Sequence, residues 1–325
     1  MKRLPDKDLK MLEYIFTLSE KDLLIAMTRF LKKKYEQVEM TADYVYAIGD
    51  IPIALIAHLD TVFAHTPTEV YYDKEKGIMW SPDGLGADDR AGVFSIIKII
   101  QSGLRPSIIF TTKEEIGGIG ASALSKIPCP FEGLKYMIEL DRHGINDCVF
   151  YDCYNPDFIN YIESFEFYEK WGTFSDISYL MPGWKICGVN LSVGYENEHT
   201  RSETLYVPAL LNTIEKVKRM LNEKDIPDFE YRELNYTSAY IKKYLGDTYA
   251  QCECCNVYHF DSNIFPVRVG LTEVQLLCLD CVDKKANWCE GCGEPYLKQL
   301  GSSEKYCDCC LIGNEEGLEG WRVDV

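Results

Sequence analysis

The chain has 325 residues, and 46% of them are hydrophobic, which is enough for a packed catalytic domain and a small appended module. Its formal net charge of −17 argues against nucleic acid as a main partner, because phosphate binding needs clustered lysine and arginine. No apolar run near the start reaches the length of a signal peptide or a membrane span. We therefore expect a cytoplasmic protein that binds neither nucleic acid nor a membrane.

Hydrophobic periodicity predicts helices that alternate with strands over the first 220 residues. In chain order we predict helices over 8–18 and 19–34, strands over 38–48 and 52–57, a hairpin over 70–80, a helix around 93–100, strands over 107–112, 136–140 and 185–193, and a helix over 207–221. The second helix begins at a capping box, Ser19 to Asp22. This alternation indicates an α/β fold with a mostly parallel sheet.

The chain is predicted to divide into three parts. Residues 1–222 form the catalytic domain, and residues 223–250 form a polar connector that carries a short helix around 238–244. Residues 251–325 form a cysteine-rich module, since ten of the 14 cysteines lie between Cys252 and Cys310. Their paired spacing is typical of metal sites and not of a disulfide framework.

Metal-binding side chains follow short apolar runs or lie in glycine-rich turns at five places. These are His58 with Asp60, Asp88-Asp89, Glu114-Glu115, Asp141 and His199. In open α/β sheets, functional groups cluster at the carboxyl ends of the strands, where these residues are predicted. Two histidines and several carboxylates suit a pair of zinc-like ions that share one bridging carboxylate, which indicates a hydrolase.

Each motif taken singly has an ordinary structural explanation. Asp88-Asp89 could cap a helix, Glu114-Glu115 could lie in a solvated turn, and Asp141-Arg142 could be a surface ion pair. The chain has only 5 histidines, and two of them occur where a metal site requires them. The combination therefore favours metal binding, while His65, His143 and His259 have no such support.

Residues 50–220 resemble the di-zinc exopeptidase-like hydrolases, a group that includes peptidase T, the bacterial leucyl aminopeptidases and the carboxypeptidase G and deacylase relatives. Five motifs in the order of that group carry the resemblance: Ala57-His-Leu-Asp-Thr-Val62, Gly86-Ala-Asp-Asp-Arg-Ala-Gly92, Thr112-Lys-Glu-Glu-Ile-Gly117, Ile138-Glu-Leu-Asp141 and Glu198-His-Thr. The resemblance implies a three-layer α/β sandwich around the mostly parallel sheet.

The resemblance also implies a role for each site residue. His58 and Asp141 would hold the first metal, Glu115 and His199 the second, and Asp88 would bridge both and precede Asp89 through a cis peptide. Asp60 would orient the His58 imidazole, and Glu114 would be the general base. The cofactors would be two catalytic zinc ions, or manganese or cobalt in their place.

Many relatives insert a lid or dimerisation domain, and the gaps between these motifs are too short for one. The catalytic domain is therefore expected to be a minimal one, closest to the lid-less aminopeptidases. Gly172-Thr-Phe-Ser-Asp-Ile-Ser178 resembles a substrate-side loop of that subgroup, which would bring Asp176 to a substrate amine. An acidic loop without a specific function is the alternative.

Two sets of four cysteines in the C-terminal module have the spacing of structural zinc sites. The first set is Cys252, Cys255, Cys278 and Cys281, and the second is Cys289, Cys292, Cys307 and Cys310. Cys254 and Cys309 could replace a neighbour in either set. The spacing predicts two structural zinc ions in a zinc-ribbon-like module, whose acidity favours a protein partner over nucleic acid.

The sequence thus predicts metal-dependent hydrolysis of an amide bond, with a hydroxide that bridges two zinc ions as nucleophile. An aminopeptidase or small-peptide exopeptidase is the first interpretation. A deacylase or carboxypeptidase that acts on acyl-amino acids is the second, and an interaction protein on a catalytically idle hydrolase scaffold is the third. Substrate, native metal and oligomeric state stay open at this point.

Overall fold

The computed structural model describes residues 4–233, 249–260, 264–269, 273–292, 295–297, 305–308 and 310–311. The chain divides into two compact units, residues 1–234 and 235–325. The helix predicted around 238–244 lies outside the described residues. No helix in the described part of the chain combines the length and the apolarity that a bilayer crossing requires.

The first unit contains seven helices and twelve strands among its described residues. The helices are α1 (Asp6–Thr17), α2 (Glu20–Leu31), α3 (Ala87–Gln101), α4 (Ile119–Ser125), α5 (Pro156–Glu163), α6 (Ile177–Trp184) and α7 (Val207–Leu221). The strands are β1 (Val38–Met40), β2 (Tyr44–Ala47), β3 (Ile51–His58), β4 (Tyr71–Asp73), β5 (Ile78–Trp80), β6 (Pro106–Thr111), β7 (Tyr136–Arg142), β8 (Asp147–Val149), β9 (Tyr168–Glu169), β10 (Cys187–Ser192), β11 (Tyr195–Glu196) and β12 (Thr204–Tyr206).

Eight strands form one sheet in the order β1-β2-β6-β3-β7-β10-β8-β9. The four central strands, β6, β3, β7 and β10, are parallel to one another. Helices α1 and α7 pack against α3, which covers β3 and β7, while α4 packs against α6. The predicted mostly parallel α/β sandwich is confirmed, and its buried strands have the continuous apolar runs that such coverage requires.

The sequence periodicity predicts four of the seven helices and the central strands, misplaces one strand and does not predict α4, α5 and α6. The long strand predicted over 38–48 is wrong, because β1 and β2 form an antiparallel hairpin there. The Thr41 hydroxyl accepts hydrogen bonds from the backbone N–H groups of Asp43 and Tyr44, and this local turn interrupts the strand. The Ser19 cap of the predicted capping box is confirmed, since Ser19 Oγ accepts a hydrogen bond from Asp22 N at the start of α2.

Residues 226–233, predicted as part of the connector, pack on the first unit. Phe229 lies 4.9 Å from the Phe158 ring of α5, measured between ring centroids. Arg232 O accepts a hydrogen bond from Tyr154 N, and Glu230 and Glu233 form isolated bridges to the unit. The segment therefore closes the side of the core that α5 lines.

Among its described residues, the second unit is built from short strands and one helix. The described elements are β13 (Tyr249–Gln251), β14 (Tyr258–Phe260), β15 (Ile264–Val269), β16 (Glu273–Cys278), α8 (Leu279–Lys285), β17 (Ala286–Trp288) and β18 (Pro295–Leu297). Strands β15 and β16 form an antiparallel hairpin, and β18 joins β15 in parallel. Its two small cores include six of the paired cysteines, namely Cys252, Cys278, Cys281, Cys289, Cys307 and Cys310.

Candidate metal centre

The candidate site lies at the carboxyl ends of the parallel strands. His58 is the last residue of β3, Asp141 lies near the end of β7, and Glu114-Glu115 follow β6. Asp88 lies in the first turn of α3, where Asp88 and Asp89 are joined by a cis peptide bond, as the resemblance implies. The parallel order of the strands thus gathers motifs that are separated by more than 80 residues in sequence.

The first group of possible ligands consists of His58, Asp88 and Asp141. His58 Nε2 lies 3.0 Å from Asp88 Oδ1 and 3.5 Å from Asp141 Oδ1. All three side chains are buried. This group matches the first metal position that the resemblance implies.

The second group consists of Asp88, Glu115 and His199. His199 Nε2 lies 3.1 Å from Asp88 Oδ2 and 3.1 Å from Glu115 Oε2. Asp88 therefore directs one carboxylate oxygen toward each histidine. Its side chain belongs to both groups and lies between their two histidines.

The spacing of these donor atoms fits a tetrahedral metal ion. Zinc–nitrogen and zinc–oxygen bonds of about 2.0 Å place two ligands of one tetrahedral ion ~3.3 Å apart. The four distances given above, from 3.0 to 3.5 Å, lie around that value. Glu115 Oε1 is buried without a hydrogen-bond partner in the described part of the chain, as expected of an oxygen that faces a cation.

The excess of carboxylates over imidazoles at the site also favours the binding of cations. Burial, followed by the neighbouring Asp88 charge, raises the pKa of Glu115 to about 7 and that of Asp141 to about 6. Burial alone would lower the pKa of His58, but the Asp141 carboxylate raises it well above its ordinary value. Five acidic side chains surround the imidazoles of His58 and His199, namely Asp60, Asp88, Glu114, Glu115 and Asp141. Divalent cations would neutralise the negative charge of this group.

Glu114 lies beside the two groups and belongs to neither of them. One of its oxygens falls within 4.8 Å of donor atoms of His58 and Glu115. Burial raises the pKa of Glu114 to about 9, and the nearby carboxylates of Asp141 and Asp176 add to that rise. A carboxyl group in this position is suited to hold a proton next to the metal ligands.

Asp60 contacts more than the histidine that it was predicted to orient. Its Oδ1 atom lies 3.3 Å from His58 Nδ1, as the resemblance implies. The two carboxylate oxygens also accept hydrogen bonds from Glu114 N, at 3.0 Å, and Glu115 N, at 3.1 Å. Asp60 therefore links the first histidine to the segment that carries the proposed base.

Glu203 is a site residue that the sequence reasoning missed. Its buried carboxylate accepts hydrogen bonds from the backbone N–H groups of Gly86 and Asp88. These two contacts fix the backbone that carries the Asp88 side chain. Burial raises the pKa of Glu203 to about 7. A signal was available, because Glu203 alternates with Leu205 and Val207, which are fully buried, and a period of two places all three on one side.

The predicted contact between Asp176 and a substrate amine is wrong for this structure. Asp176 is completely buried and accepts a hydrogen bond from the Thr111 hydroxyl, so it points into the protein. The neighbouring Ser175 instead donates a hydrogen bond to Asp141 Oδ2 at 3.0 Å. The segment that contains Ser175 and Asp176 thus holds the carboxylate of Asp141, a candidate metal ligand, through a hydrogen bond.

His143, which the sequence left without a role, pairs with the residue that precedes His199. Its Nδ1 atom lies 2.6 Å from Glu198 Oε1. Hydrogen bonding to Glu198 raises the pKa of His143 above its ordinary value. This contact joins the end of β7 to the loop that carries the second histidine.

The paired cysteines of the second unit form two separate groups of four. Cys252, Cys255, Cys278 and Cys281 make up one group, and Cys289, Cys292, Cys307 and Cys310 make up the other. The sulfur atoms of Cys255 and Cys278 lie 3.9 Å apart, and those of Cys292 and Cys307 lie 3.8 Å apart. Zinc–sulfur bonds of about 2.3 Å in a tetrahedron give ~3.8 Å.

Backbone N–H groups point at one sulfur of the second group. Gly291 N and Cys307 N each donate to Cys289 Sγ at 3.3 Å. Burial would raise the pKa of Cys289, but these N–H groups lower it to about 6, which favours the thiolate that zinc needs. Cys254 lies outside both groups of four, and Cys309 lies outside the described residues.

Comparisons with known proteins identify the fold. Neither the protein-family models nor the curated proteins contain a match to this chain. Among solved structures, aminopeptidase PepT from Bacillus cereus is similar with a TM-score of 0.51 and 15% identity, over 66% of this chain and 96% of the other. A tripeptidase from Staphylococcus aureus is similar with a TM-score of 0.51 and 13% identity, over 65% of this chain and 96% of the other.

An archaeal structure extends this similarity. An aminopeptidase from Desulfurococcus kamchatkensis is similar with a TM-score of 0.50 and 12% identity, over 68% of this chain and 96% of the other. At these identities the likeness concerns the fold. The chain therefore has the α/β fold of these solved aminopeptidases and this tripeptidase, joined to a cysteine-rich second unit.

Proposed function

We propose that the protein is a metal-dependent peptidase that cleaves small peptides from one end, and that it acts as an aminopeptidase. The observation that carries this proposal is the shared position of Asp88, whose two oxygens face His58 and His199. Proteins named as aminopeptidase and tripeptidase have the same fold, which supports a peptide substrate.

Two zinc ions, or manganese or cobalt ions, would be held by His58, Asp88, Glu115, Asp141 and His199. When bound, such ions supply Lewis-acid activation of water and of the scissile carbonyl. The contacts of Asp60, Ser175 and Glu203 hold these side chains or their backbone in place before any ion arrives. The protein's own contribution is therefore a preorganised donor set.

The Glu114 carboxylate would move the proton in this reaction. It lies within reach of both ligand groups, and burial raises its pKa, so the ionised carboxylate is a stronger base than an exposed one. In peptide hydrolysis it would accept a proton from the attacking water and return that proton to the leaving amine. Both transfers take place at the same carboxylate, so no further acid is required.

Replacing Glu114 by glutamine tests this function. We expect kcat for hydrolysis of di- and tripeptides to fall by about 10²- to 10⁴-fold, the range for loss of a general acid–base, while the bound metal content stays the same. Turnover would be measured by release of the free amino acid, and metal content by elemental analysis. Glu132→Gln, at an exposed position, is the matched control.

Two results would contradict the proposal. Wild-type protein loaded with zinc, manganese or cobalt that cleaves none of a panel of peptides would refute the peptidase function. Cleavage of peptides with blocked amino termini, but not of those with free amino termini, would refute the aminopeptidase assignment and favour a deacylase or carboxypeptidase.

The remaining expectations belong to the same proposal. Eight cysteines would hold two structural zinc ions in the second unit, and that unit would contact a protein partner. Thiolate ligands must stay reduced, which suits the cytoplasmic location expected from the sequence.

A further inference from the structure

Three consecutive backbone N–H groups before and within the Glu114-Glu115 pair all donate to carboxylates. Glu114 N and Glu115 N donate to the two oxygens of Asp60. Lys113 N donates to Glu20 Oε1 at 3.0 Å, although Glu20 lies 93 positions earlier in the chain. The turn that carries the proposed base is therefore held by two carboxylates, one of which comes from the N-terminal helices.

The backbone at Lys113 needs such support. Lys113 has a φ of 59°, a left-handed conformation that residues other than glycine adopt at a cost. Its ammonium group lies 2.7 Å from Asp43 Oδ1, and its carbonyl accepts a hydrogen bond from Ile119 N. These contacts fix the side chain and the carbonyl, and the Glu20 contact fixes the N–H group.

Glu20 is itself held in a defined position. It is the first residue of α2, and the preceding Ser19 caps that helix through Asp22 N. The Arg90 guanidinium donates to Ile15 O at 2.8 Å and to Leu18 O at 2.7 Å, which fixes the corner between α1 and α2. Since Arg90 directly follows Asp88-Asp89, this corner contacts two of the three segments that supply ligands to the second group.

We propose that Glu20 is a positioning residue, which places the Glu114 and Glu115 carboxylates by fixing the Lys113 backbone between them and β6. This inference rests on the proposed function for its catalytic consequence, although the contact itself does not. Without an acceptor at position 20, the Lys113 N–H group loses its hydrogen bond, and the left-handed conformation of Lys113 is less stabilised. The next two carboxylates then shift relative to His58 and Asp88, and the geometry for proton transfer is lost.

Glutamine at position 20 keeps an acceptor oxygen at the same reach, whereas alanine removes it. We expect Glu20→Ala to lower kcat by about 10- to 100-fold, as a misplaced catalytic group does, with KM changed less than about threefold. Glu20→Gln should retain most of the wild-type kcat. Glu36→Ala, at an exposed position in the same N-terminal region, is the control and should behave as the wild type.

Amide hydrogen exchange tests the contact without any substrate. In Glu20→Ala, peptides that cover residues 111–118 should exchange about tenfold faster than in the wild type, with peptides from β7 unchanged. Glu20→Gln should show wild-type exchange in both. If Glu20→Ala does not fold, Glu20→Asp replaces it, because the side chain that is one methylene shorter loses its reach to Lys113 N.

The inference is overturned if Glu20→Ala, or Glu20→Asp in its place, exchanges and turns over like the wild type. It is also overturned if alanine and glutamine lower kcat equally. A wild-type protein without peptidase activity would refute the proposed function, and the exchange measurement would still decide whether Glu20 holds this turn.

Discussion

At the scale of single residues, the candidate site depends on carboxylates of two kinds. Asp88, Glu115 and Asp141 offer oxygens to a metal, while Asp60 and Glu203 accept hydrogen bonds from the backbone that carries those ligands. The second kind is hard to recognise in a sequence with 51 acidic residues. Such supporting groups affect metal affinity because they fix the positions of the ligand side chains before the metal binds.

Replacing Glu203 by glutamine should therefore weaken metal binding. Glutamine keeps one acceptor oxygen and presents an N–H donor to the other backbone N–H group, so one of the two contacts to Gly86 and Asp88 is lost. We expect metal affinity at the bridged site to fall about 10- to 100-fold, the usual range for a residue that supports a ligand.

The affinity would be measured by titration against a competing chelator. Glu215→Gln, on the exposed side of α7, serves as control. Equal affinities of Glu203→Gln and the wild type would show that the Asp88 backbone keeps its position without Glu203.

At the scale of elements, residues 226–233 behave as part of the first unit. The Phe229 ring lies near the rings of Phe158, Tyr136 and Tyr161, at centroid distances of 4.9, 6.1 and 5.3 Å. A polar composition without clear periodicity predicted a connector here. Aromatic side chains scattered through a polar segment can still complete a core, because one ring buries a large apolar area.

Removing the Phe229 ring should destabilise the first unit. We expect Phe229→Ala to lower the free energy of unfolding by about 3 kcal/mol, the lower end of the range for large aromatic side chains, since Phe229 is only partly buried.

Denaturant unfolding of the full chain, followed by the signal of the first unit, would measure this change. Tyr168→Ala removes an aromatic ring that is 60% exposed and should change stability by less than about 0.5 kcal/mol. A similar small effect for Phe229→Ala would mean that the segment lies on the unit without stabilising it.

At the scale of the whole molecule, the chain contains two kinds of possible metal ligands. The first unit gathers imidazoles and carboxylates, and the second unit gathers thiolates. Thiolate sites of structural type bind zinc more tightly than sites that keep an open position. Purified protein should therefore contain about four zinc equivalents, of which two are removed by mild chelation.

A cysteine variant separates the two classes. Cys281→Ser should lower the zinc content from about four equivalents to about three, because one tetrahedral thiolate site loses a ligand. Cys129→Ser, at a half-buried cysteine outside both groups of four, should leave the count unchanged. Elemental analysis after gel filtration gives the count, and an unchanged count in Cys281→Ser would contradict zinc binding by the first cysteine group.

The alternation of helices and strands, the order of the five motifs and the two sets of four cysteines were all readable from the sequence. These features are local, because periodicity, capping and ligand spacing depend on residues close together in the chain. Periodicity was enough to predict a mostly parallel α/β sheet, while the resemblance carried by the five motifs implied the sandwich and the side chains that meet around Asp88.

Only the tertiary structure decided which other residues support that site. Glu20 reaches Lys113 across 93 positions and Glu203 reaches Asp88 across 115, and no local pattern encodes such distances. Asp176 lies inside the protein, where its carboxylate accepts a hydrogen bond from Thr111, a residue 65 positions earlier in the chain. Long-range hydrogen bonds depend on how elements pack, and packing follows from the whole set of buried surfaces together.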